Sequence, residues 1–345
     1  MIYIDKSARD SRFVKFFEND GRNFTFVNNM EEVEDSKNNI YITSGYNTFV
    51  HRCPATRNYR CCNYYVVDLV EGCPFDCTYC ILQEYLNHNL VKVHSDLDRV
   101  KEEIISLSKK GVFRLGTGEL SDSLAYDHIL KLSDFFIPVI SELENIQFEF
   151  KTKSANVGRL FNHNPENILV SWSLNPQEIV AAEEHYTASL GERIEAAAKC
   201  AEYGYKVGFH FDPLIYYNDF EKGYSDVVKK LFEKIPEQSV EYISISTFRF
   251  IPGLLDIVRE KFESSHLLKS DYVRSMDGKM RYFKSLRHYM LRYMVRSIRE
   301  YWPQVFLYFC MEHESVWKNL LGYDPGEREN FEMNFPFYHK SLQNH

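Results

Sequence analysis

Between residues 64 and 250 the sequence alternates about six times between short runs typical of β-strands and longer amphipathic helical patterns. The strand-like runs are β-branched or alternate polar with apolar side chains: YYVVDLV, GVFRLG, IQFEFKT, NILVSWSL, KVGFHFDPLI and VEYISISTFRF. This alternation favours parallel strands joined by right-handed crossovers, in a barrel or an open sheet. Because six units are too few for a closed barrel of eight strands, we predict an α/β fold with a partial (β/α)6 TIM barrel.

The remaining residues are predicted to add a segment to each end of the barrel. Residues 1–60 are mixed and polar, contain one strand pattern at YITSG, and are expected to pack on the barrel at 61–250. Residues 251–345 are expected to form a C-terminal region with a long basic helix and an extension.

Helical patterns are predicted at several places. One covers about 97–110, and another, after the second strand, is expected to begin at a cap formed by Ser121 or Asp122. The pattern of 271–302 predicts one long helix, and the tail that follows a strand at 306–312 is predicted to be mostly loop. The apolar stripe of the long helix comprises Met280, Phe283, Met290, Tyr293 and Met294.

The composition restricts the compartment in which this protein works. No stretch approaches eighteen consecutive apolar residues, and the N-terminus lacks a basic start followed by an apolar run. We therefore expect a cytoplasmic protein without a membrane partner, whose eight cysteines are thiols or metal ligands rather than disulfides.

The distribution of charge leaves nucleic-acid binding open. The formal net charge of −8 argues against non-specific binding of nucleic acid over the whole surface. However, residues 259–300 contain eleven Lys and Arg against five Asp and Glu. This segment either contacts DNA phosphate through the basic helix at 272–300 or is a solvated helix face.

Three cysteines in the stretch EGCPFDCTYC, Cys73, Cys77 and Cys80, follow the first predicted strand. In parallel α/β folds the loops at the carboxyl ends of strands carry the chemistry. A structural zinc site would need a fourth ligand such as Cys61, Cys62 or Cys53, and C-x3-C-x2-C is not a usual zinc spacing. An iron–sulfur cluster on three thiolates would leave one iron open to an outside ligand, which is a catalytic arrangement.

The C-x3-C-x2-C spacing, with Tyr79 before the last cysteine and a βα repeat around it, resembles the radical S-adenosylmethionine superfamily. The resemblance implies a [4Fe-4S] cluster on the three cysteines, whose open iron binds the amino and carboxylate groups of S-adenosylmethionine. In that superfamily an electron from the cluster cleaves the sulfonium and yields a 5′-deoxyadenosyl radical. An electron donor such as flavodoxin or ferredoxin is then expected, and Tyr79 is expected beside the cofactors.

A second stretch, FRLGTGE at 113–119, ends the second predicted strand and resembles the glycine-glycine-glutamate turn of the same superfamily. The resemblance implies that Gly116 and Gly118 let the backbone approach the methionine moiety, and that Glu119 pairs with its ammonium group. The alternative is that the two glycines only make a tight turn.

Polar residues also end the fourth and fifth predicted strands. Ser173 and Asn175 in SWSLN are candidates to hydrogen-bond the ribose of the cofactor. His210 in FHFDP is a further candidate cofactor-binding residue at the barrel mouth, together with Asp212, which is also an ordinary turn residue before proline.

Two stretches are similar to the spore photoproduct lyase family: the cluster loop GCPFDCTYCILQ and the segment LGERIEAAAKCAEYGYKVGFHFDPLIYY. The similarity extends over roughly residues 60–310. It implies anaerobic repair of a thymine photolesion in DNA, in which the radical abstracts hydrogen from the lesion and the linking carbon–carbon bond breaks. In that family a cysteine after the second strand returns hydrogen to the product, helped by two tyrosines of the cluster loop.

The sequence departs from the family at this hydrogen-return step. Thr117 or a neighbouring glycine stands in the place of the family's cysteine, and Ile81 replaces one of the two tyrosines. Tyr79 matches the other, so Tyr79 and Thr117 are the predicted catalytic residues. A hydroxyl is a poor donor of a hydrogen atom to a carbon radical because its O–H bond is too strong, whereas a thiol S–H bond is weak enough.

Another thiol is therefore a candidate donor, and the candidates are Cys53, Cys61, Cys62 and Cys310. Cys61 and Cys62 precede the first strand, which predicts that they lie at the wrong end of the barrel. Cys200, among small residues on a predicted helix, is expected to serve packing.

Three functions stay open from the sequence. The first is a family member that acts on DNA, with lesion repair as its chemistry. The second is a radical enzyme of the same family that acts on another substrate, such as a modified nucleotide or a peptide. The third is a non-catalytic metal-binding module.

Overall fold

Residues 1–343, which the computed structural model describes, contain eighteen β-strands. In chain order they are β1 (Ile2–Asp5), β2 (Thr25–Val27), β3 (Ile40–Thr43), β4 (Val50–Arg52), β5 (Tyr65–Val67), β6 (Val70–Glu71), β7 (Asp76–Cys77), β8 (Val91–His94), β9 (Phe113–Thr117), β10 (Ile146–Thr152), β11 (Ile168–Ser173), β12 (Glu184–His185), β13 (Lys206–Leu214), β14 (Val240–Thr247), β15 (Arg249–Phe250), β16 (Tyr272–Arg274), β17 (Met280–Tyr282) and β18 (Leu307–Phe309).

One curled sheet of eight strands forms the centre of the fold, in the order β18-β14-β13-β11-β10-β9-β5-β4. Every pair from β5 to β18 is parallel, and only the edge strand β4 is antiparallel. The six strands predicted by the alternation are all present, and β18 extends them by one. The predicted α/β fold with a partial TIM barrel is confirmed.

The helices lie mainly on the outer face of this sheet. Their bounds are α1 (Arg12–Asn19), α2 (Leu82–Tyr85), α3 (Leu97–Ser108), α4 (Asp127–Leu130), α5 (Ser133–Ser141), α6 (Gln177–Glu183), α7 (Leu190–Tyr203), α8 (Phe220–Lys234), α9 (Leu254–Lys261), α10 (Lys284–Tyr301), α11 (Glu314–Leu321), α12 (Glu329–Glu332) and α13 (Pro336–Gln343). Helix α7 begins with a capping box of Ser189 and Glu192 and ends at Gly204, as its sequence pattern favours. No helix of residues 1–343 combines the length and the apolar character needed to cross a membrane.

Strand β10 shows how the sheet separates its two faces. Phe148 and Phe150 point outward, with ring centroids 4.6 and 6.3 Å from that of Phe136 on α5. Successive side chains of a strand face opposite sides, so Glu149 and Lys151 point into the barrel. The inner face of the sheet therefore carries polar side chains. We call the end of the barrel at which the parallel strands have their carboxyl ends the mouth.

The barrel is open between its edge strands, and irregular segments close the gap. Arg60, before β5, forms an antiparallel bridge with Glu312, after β18. The hairpin β16–β17 pairs with β15, and its turn reaches the loop before β5, where Thr56 Oγ1 donates a hydrogen bond of 2.8 Å to Asp277. Residues of this loop and of the hairpin thus border the mouth.

A second sheet of five strands, in the order β2-β1-β3-β8-β6, contains the predicted strand at YITSG. Strands β6 and β8 come from the predicted barrel region, whereas β4, which precedes residue 60, belongs to the large sheet. Each of the two sheets therefore combines strands from both sides of the predicted boundary at residue 60. The domain boundaries at 60 and 250 stay predictions.

The prediction of one long helix over residues 271–302 is wrong for the first part of that range. Residues 272–282 form the hairpin β16–β17, and helix α10 begins only at Lys284. The turn of the hairpin contains Gly278 at a φ of +81°, a conformation that a helix does not allow. Within the predicted apolar stripe, only Met290 and Met294 are fully buried on α10.

Two further predictions of local structure are wrong. Asp122 does not cap a helix, because its carboxylate accepts hydrogen bonds from the backbone N–H groups of Leu124 and Ala125 in a loop, and helix α4 begins only at Asp127. The tail predicted as loop contains α11, α12 and α13, which pack Trp317 and Phe331 against each other with ring centroids 5.0 Å apart. Residues 344 and 345 of that extension lie outside the described part of the chain.

Candidate active site at the barrel mouth

The loop that carries Cys73, Cys77 and Cys80 follows β5 and β6 and is held by the segment at 183–185. Strands β7 and β12 pair antiparallel, with Cys77 opposite Glu184. Gly72 adopts a φ of +89°, and a Cβ there would lie 2.4 Å from the carbonyl oxygen of Leu90, so only glycine fits before the first cysteine.

The Glu183 carboxylate fixes this loop to the C-terminal region. It accepts hydrogen bonds from the Thr78 hydroxyl, from the Ser265 hydroxyl at 2.7 Å and from the backbone N–H of His266 at 2.6 Å. Glu183 is fully buried, so three donors compensate its desolvation. These hydrogen bonds hold the cysteine loop in place without any ligand.

The three thiols are suited to iron. All three cysteines are free, Cys77 is buried, and burial raises the pKa of Cys73 to about 12, with Asp122 adding to the effect. Thiolates at such positions require a cation such as iron for stability. An open cavity of about 250 Å³ reaches Cys73 and Cys80 from the surface and is bordered by Lys37 and Lys261.

The Tyr79 hydroxyl is held by a hydrogen bond to a buried carboxylate, so its side chain does not point freely into the mouth. Its hydroxyl donates to Glu184, a fully buried carboxylate that also accepts from Asn175 Nδ2 at 2.8 Å. Arg193 Nη1 lies 2.6 Å from the other oxygen of Glu184, and the Lys153 ammonium lies 5.6 Å from the centroid of the Tyr79 ring. Burial together with the Glu184 charge raises the pKa of Tyr79 well above its usual value.

Replacing Tyr79 with Phe is expected to destabilise the reconstituted protein by about 1–3 kcal/mol, because a buried carboxylate loses one of its donors. Denaturant unfolding followed by circular dichroism measures the change. The control is Tyr85→Phe on α2, where the side chain is 66% exposed and the change is expected to stay within about 0.5 kcal/mol. Equal midpoints for the two variants would exclude the role of this hydrogen bond.

Glu119 lies at the mouth beside a paired carboxylate. The ligand atoms of His51, Asp68 and Glu119 all lie within 4.8 Å of one another. His51 and Asp68 are hydrogen-bonded, which raises the pKa of His51 to about 9, so the His51 ring is protonated at neutral pH. Glu119 Oε2 is buried without a hydrogen-bond partner, and burial with the Asp68 charge raises the pKa of Glu119.

An orphaned carboxylate oxygen in this position fits an incoming ammonium group, because the buried Glu119 Oε2 receives no hydrogen bond from residues 1–343. The residues present therefore fit both groups that the resemblance implies: iron on the three thiols and an amino group on Glu119.

The glycines of FRLGTGE are explained by packing inside the protein. A Cβ on Gly116 would lie 2.1 Å from the Tyr64 hydroxyl oxygen and 2.5 Å from the carbonyl oxygen of Glu149. Gly118 has a φ of +103°, and a Cβ there would lie 3.1 Å from the carbonyl oxygen of Lys151. Close packing in β9 requires Gly116 and the turn after β9 requires Gly118, while their approach to a cofactor stays a prediction.

Thr117 faces away from the mouth. Its hydroxyl donates to Ser123 Oγ at 2.8 Å, and its side chain lines a small cavity with Val67, Phe136 and Phe150 on the outer face of the sheet. The strand therefore turns the predicted catalytic hydroxyl away from the barrel interior.

The other predicted ligands are engaged in internal hydrogen bonds. His210 Nε2 lies 2.9 Å from Glu149 Oε1, and burial lowers the pKa of His210, which is only 4% exposed. Asn175 is 1% exposed and accepts a hydrogen bond of 2.6 Å from the Tyr224 hydroxyl. The Ser173 carbonyl accepts from Arg193 Nη1 at 2.9 Å. Their roles towards a cofactor stay predictions.

Arg249 and Lys151 at the mouth were not singled out from the sequence, unlike their neighbours Asp212 and Cys310. Asp212 accepts from Arg249 Nη1 at 3.2 Å, and Arg249 Nη2 lies 3.6 Å from Cys310 Sγ. Cys310 follows β18, and its backbone N–H donates to the carbonyl of Ile245 at 3.2 Å, which puts it at the carboxyl end of the strand. Lys151 could have been found from the alternation in IQFEFKT, which directs it to the same face as Glu149.

Parallel strands in a partial barrel, with three cysteines in the loop after the first of them, define a radical S-adenosylmethionine enzyme. The family model described as spore photoproduct lyase matches residues 27–310. The chain belongs to the spore photoproduct lyase family. Both predictions, the superfamily and the family, are confirmed.

Similar proteins agree with this assignment. The spore photoproduct lyase of Clostridium acetobutylicum is 26% identical over 72% of this chain and 75% of its own length. That of Bacillus subtilis is 22% identical over 69% of each chain. A solved structure of a spore photoproduct lyase double mutant with bound AdoMet and dinucleoside spore photoproduct covers 89% of this chain and 98% of its own, at a TM-score of 0.78 and 20% identity. That likeness supports the fold.

Proposed function

We propose that this protein is a radical S-adenosylmethionine enzyme that repairs a thymine photolesion in DNA, or performs closely related carbon–carbon bond chemistry there. Family membership supports the reaction class, and similar proteins have been solved with a dinucleoside spore photoproduct. The observation that carries the proposal is the combination of three buried or half-buried thiols with the unpartnered Glu119 carboxylate in one mouth. The second candidate, another nucleotide or a peptide as substrate, is favoured by the absence of a cysteine between residues 81 and 199.

Cys73, Cys77 and Cys80 would hold the [4Fe-4S] cluster, and Glu119 would bind the ammonium group of S-adenosylmethionine. When bound, these two cofactors supply a 5′-deoxyadenosyl radical after one-electron reduction. The chain itself holds the cysteine loop in place through Glu183 and Glu184 and keeps the thiols buried or half-buried.

Glu119→Gln is expected to weaken binding of S-adenosylmethionine by about 10- to 100-fold, because a charge-assisted hydrogen bond becomes a neutral one. Equilibrium dialysis with the iron-loaded protein measures the affinity. Glu102→Gln, an exposed change on α3, is the control and should leave the affinity unaltered. An unchanged affinity in Glu119→Gln would assign this carboxylate to another ligand.

Cys310 is the thiol best suited to return hydrogen to a product radical. It lies at the mouth beside Arg249, whereas the Thr117 hydroxyl faces the outer side of the sheet. Burial raises the pKa of Cys310, so the sulfur carries the hydrogen it would donate. The transfer breaks the S–H bond, forms a C–H bond and leaves a sulfur radical on Cys310, which a thiol in solution can restore.

A reducing partner is expected on the side where the surface cavity reaches Cys73 and Cys80. Lys37 and Lys261 at its rim suit a small acidic electron-transfer protein such as flavodoxin or ferredoxin. Ile81, which directly precedes α2, and Tyr85, on α2, are both exposed and lie close to Cys80 in the sequence.

DNA contacts are proposed for the exposed basic residues of 272–300. Arg281 is fully buried and paired with Asp277 at 2.7 Å, so it is committed internally. Arg292 and Arg296 are exposed on α10 and have no ion pair within residues 1–343, which supports them as phosphate contacts.

The proposed function is tested by measuring 5′-deoxyadenosine from the reconstituted, dithionite-reduced protein. Its formation is expected to accelerate when lesion-containing DNA replaces undamaged DNA. Equal rates with both would favour a different substrate, and no 5′-deoxyadenosine from an iron-loaded sample would favour a non-catalytic metal-binding module.

A further inference from the structure

Two lysines at the mouth lack a carboxylate partner. Within residues 1–343, neither the Lys151 nor the Lys279 ammonium lies within 4.0 Å of a carboxylate oxygen. Lys151 points into the barrel from β10, on the face that also carries Glu149. Lys279 stands beside the hairpin turn, where its nearest polar contact is Met311 Sδ at 3.9 Å. Both side chains are half-buried, so their charges are less well hydrated than on an open surface.

Arg249 adds a third cation at the same place. Its Nη1 lies 3.2 Å from Asp212, while Nε and Nη2 face the sulfur atoms of Met311 and Cys310 at 3.3 and 3.6 Å. Nη1 also donates to the Ser246 hydroxyl, whereas sulfur is a weak acceptor, so Nε and Nη2 are the poorly satisfied part of the guanidinium. The pairing of β15 with β17 sets Arg249 opposite Arg281, and Lys279 lies two residues before Arg281, directly ahead of β17.

Within residues 1–343, the carboxylates around this group all lie more than 4.0 Å from both lysine ammonium groups. Asp212 is used by Arg249, and Asp277 is used by the buried Arg281. Glu149, on the same face as Lys151, pairs with His210, and the buried Glu312 carboxylate lies near Arg249 without a hydrogen-bond partner in residues 1–343. Across the mouth Asp68 pairs with His51, and Glu119 is assigned above to the ammonium group of S-adenosylmethionine.

Two ammonium groups and the Nε and Nη2 atoms of Arg249 therefore lack a carboxylate at close range within the described chain. Burial and the neighbouring Arg249 charge lower the pKa of Lys279, which agrees with a cation that lacks a counter-ion. A bound anion would relieve both the desolvation and the repulsion, and phosphate oxygens match the donors of Lys and Arg in number and geometry.

We infer that Lys151, Arg249 and Lys279 form an anion-binding subsite that takes the phosphodiester of a nucleotide substrate, the group that links the two nucleosides at the reacting position. The inference rests on the proposed function and adds a means of recognition to it. The subsite lies beside Cys310, so it would hold the sugar–phosphate backbone while the bases reach the barrel interior. Recognition at this point does not depend on the base sequence.

The test compares two dinucleotide probes with the same two thymines, one with a phosphodiester and one with an uncharged methylphosphonate linkage. With the iron-loaded protein and S-adenosylmethionine at low salt, the phosphodiester probe is expected to bind about 10-fold more tightly, the value of one or two charge-assisted hydrogen bonds. Lys279→Gln and Lys151→Gln are expected to reduce this preference to about two-fold. Lys279→Arg, which keeps the charge, should retain it.

Lys234→Gln is the matched control, because this half-exposed lysine ends α8 at the opposite end of the barrel and pairs with Glu195. It should leave the preference unchanged. Equal affinity for both probes in the wild-type protein would overturn the subsite, as would a preference that survives both glutamine variants. Stronger competition by an acidic peptide than by the phosphodiester probe would also overturn it.

The failure of the subsite and of the proposed function can be told apart. Binding of the probes requires no turnover, and 5′-deoxyadenosine is measured in parallel samples with lesion-containing DNA. If 5′-deoxyadenosine still forms faster with the lesion while both probes bind equally, only the subsite is wrong. If the probes are distinguished as expected, the subsite stands whatever lesion is turned over.

Discussion

Cys77→Ala is expected to remove most of the iron and sulfide from the reconstituted protein and to abolish formation of 5′-deoxyadenosine. Cys77 is buried in strand β7, which pairs with β12, so no neighbouring side chain can replace its thiolate. Changes at residues that only support metal ligands cost about 10- to 100-fold in affinity, and loss of a ligand should cost more. Iron analysis, the visible absorption of the cluster and chromatography of 5′-deoxyadenosine measure the effect.

The matched control is Cys200→Ala. Cys200 is also fully buried, but it lies in α7 among Ala196 and Ala197, as expected of a cysteine that serves packing. This variant should keep its iron and its activity, although it should unfold more easily. Full iron content in Cys77→Ala would contradict the assignment of the cluster ligands.

Cys310→Ala is expected to impair the last step of the reaction, the return of hydrogen, while the first step, formation of the radical, continues. Formation of 5′-deoxyadenosine should continue, because Cys310 is not among the cluster cysteines, whereas the yield of repaired product should fall by about 100-fold, as for loss of a positioned proton donor. In D2O the wild-type product should gain deuterium, because a thiol hydrogen exchanges with solvent. The variant should release side products without that label.

Cys62→Ala is the control for this experiment. Its side chain lies near the buried Arg114–Glu332 pair, although the pairing of Arg60 with Glu312 brings its backbone opposite Cys310. This variant should give the same labelled product as the wild-type protein. An undiminished, labelled product from Cys310→Ala would rule out Cys310 as the hydrogen donor.

The strands of the barrel were accessible from the sequence because their patterns are local. The run IQFEFKT alternates strictly, and the structure turns Phe148 and Phe150 outward and Glu149 inward, as that alternation requires. The cysteine loop was equally accessible, since its spacing is carried by eight consecutive residues, 73–80.

The hairpin at 272–282 was missed although the sequence contains a turn signal. Asp277 and Gly278 form a dipeptide that favours tight turns, but the methionines and aromatic residues on both sides also fit a helical stripe. Pairing of β17 with β15, far back in the chain, decides between the two, and such a contact leaves no local pattern.

The direction of side chains at the mouth also depended on long-range structure. A shift of one residue along a strand exchanges its two faces, and Thr117 consequently lies outside while Glu119, beyond the strand, reaches His51 and Asp68. Cys310 was one of four candidate thiols, and only the parallel pairing of β18 with β14 brings it to the mouth.

The most direct test of the proposed reaction is to incubate the reconstituted, reduced protein anaerobically with S-adenosylmethionine and a dinucleotide spore photoproduct, and to follow both by mass spectrometry. We predict that the lesion disappears and that an equal amount of the dinucleotide with two intact thymines appears. Steady formation of 5′-deoxyadenosine with the lesion left unchanged would contradict repair of this lesion and would favour the other substrates of the family.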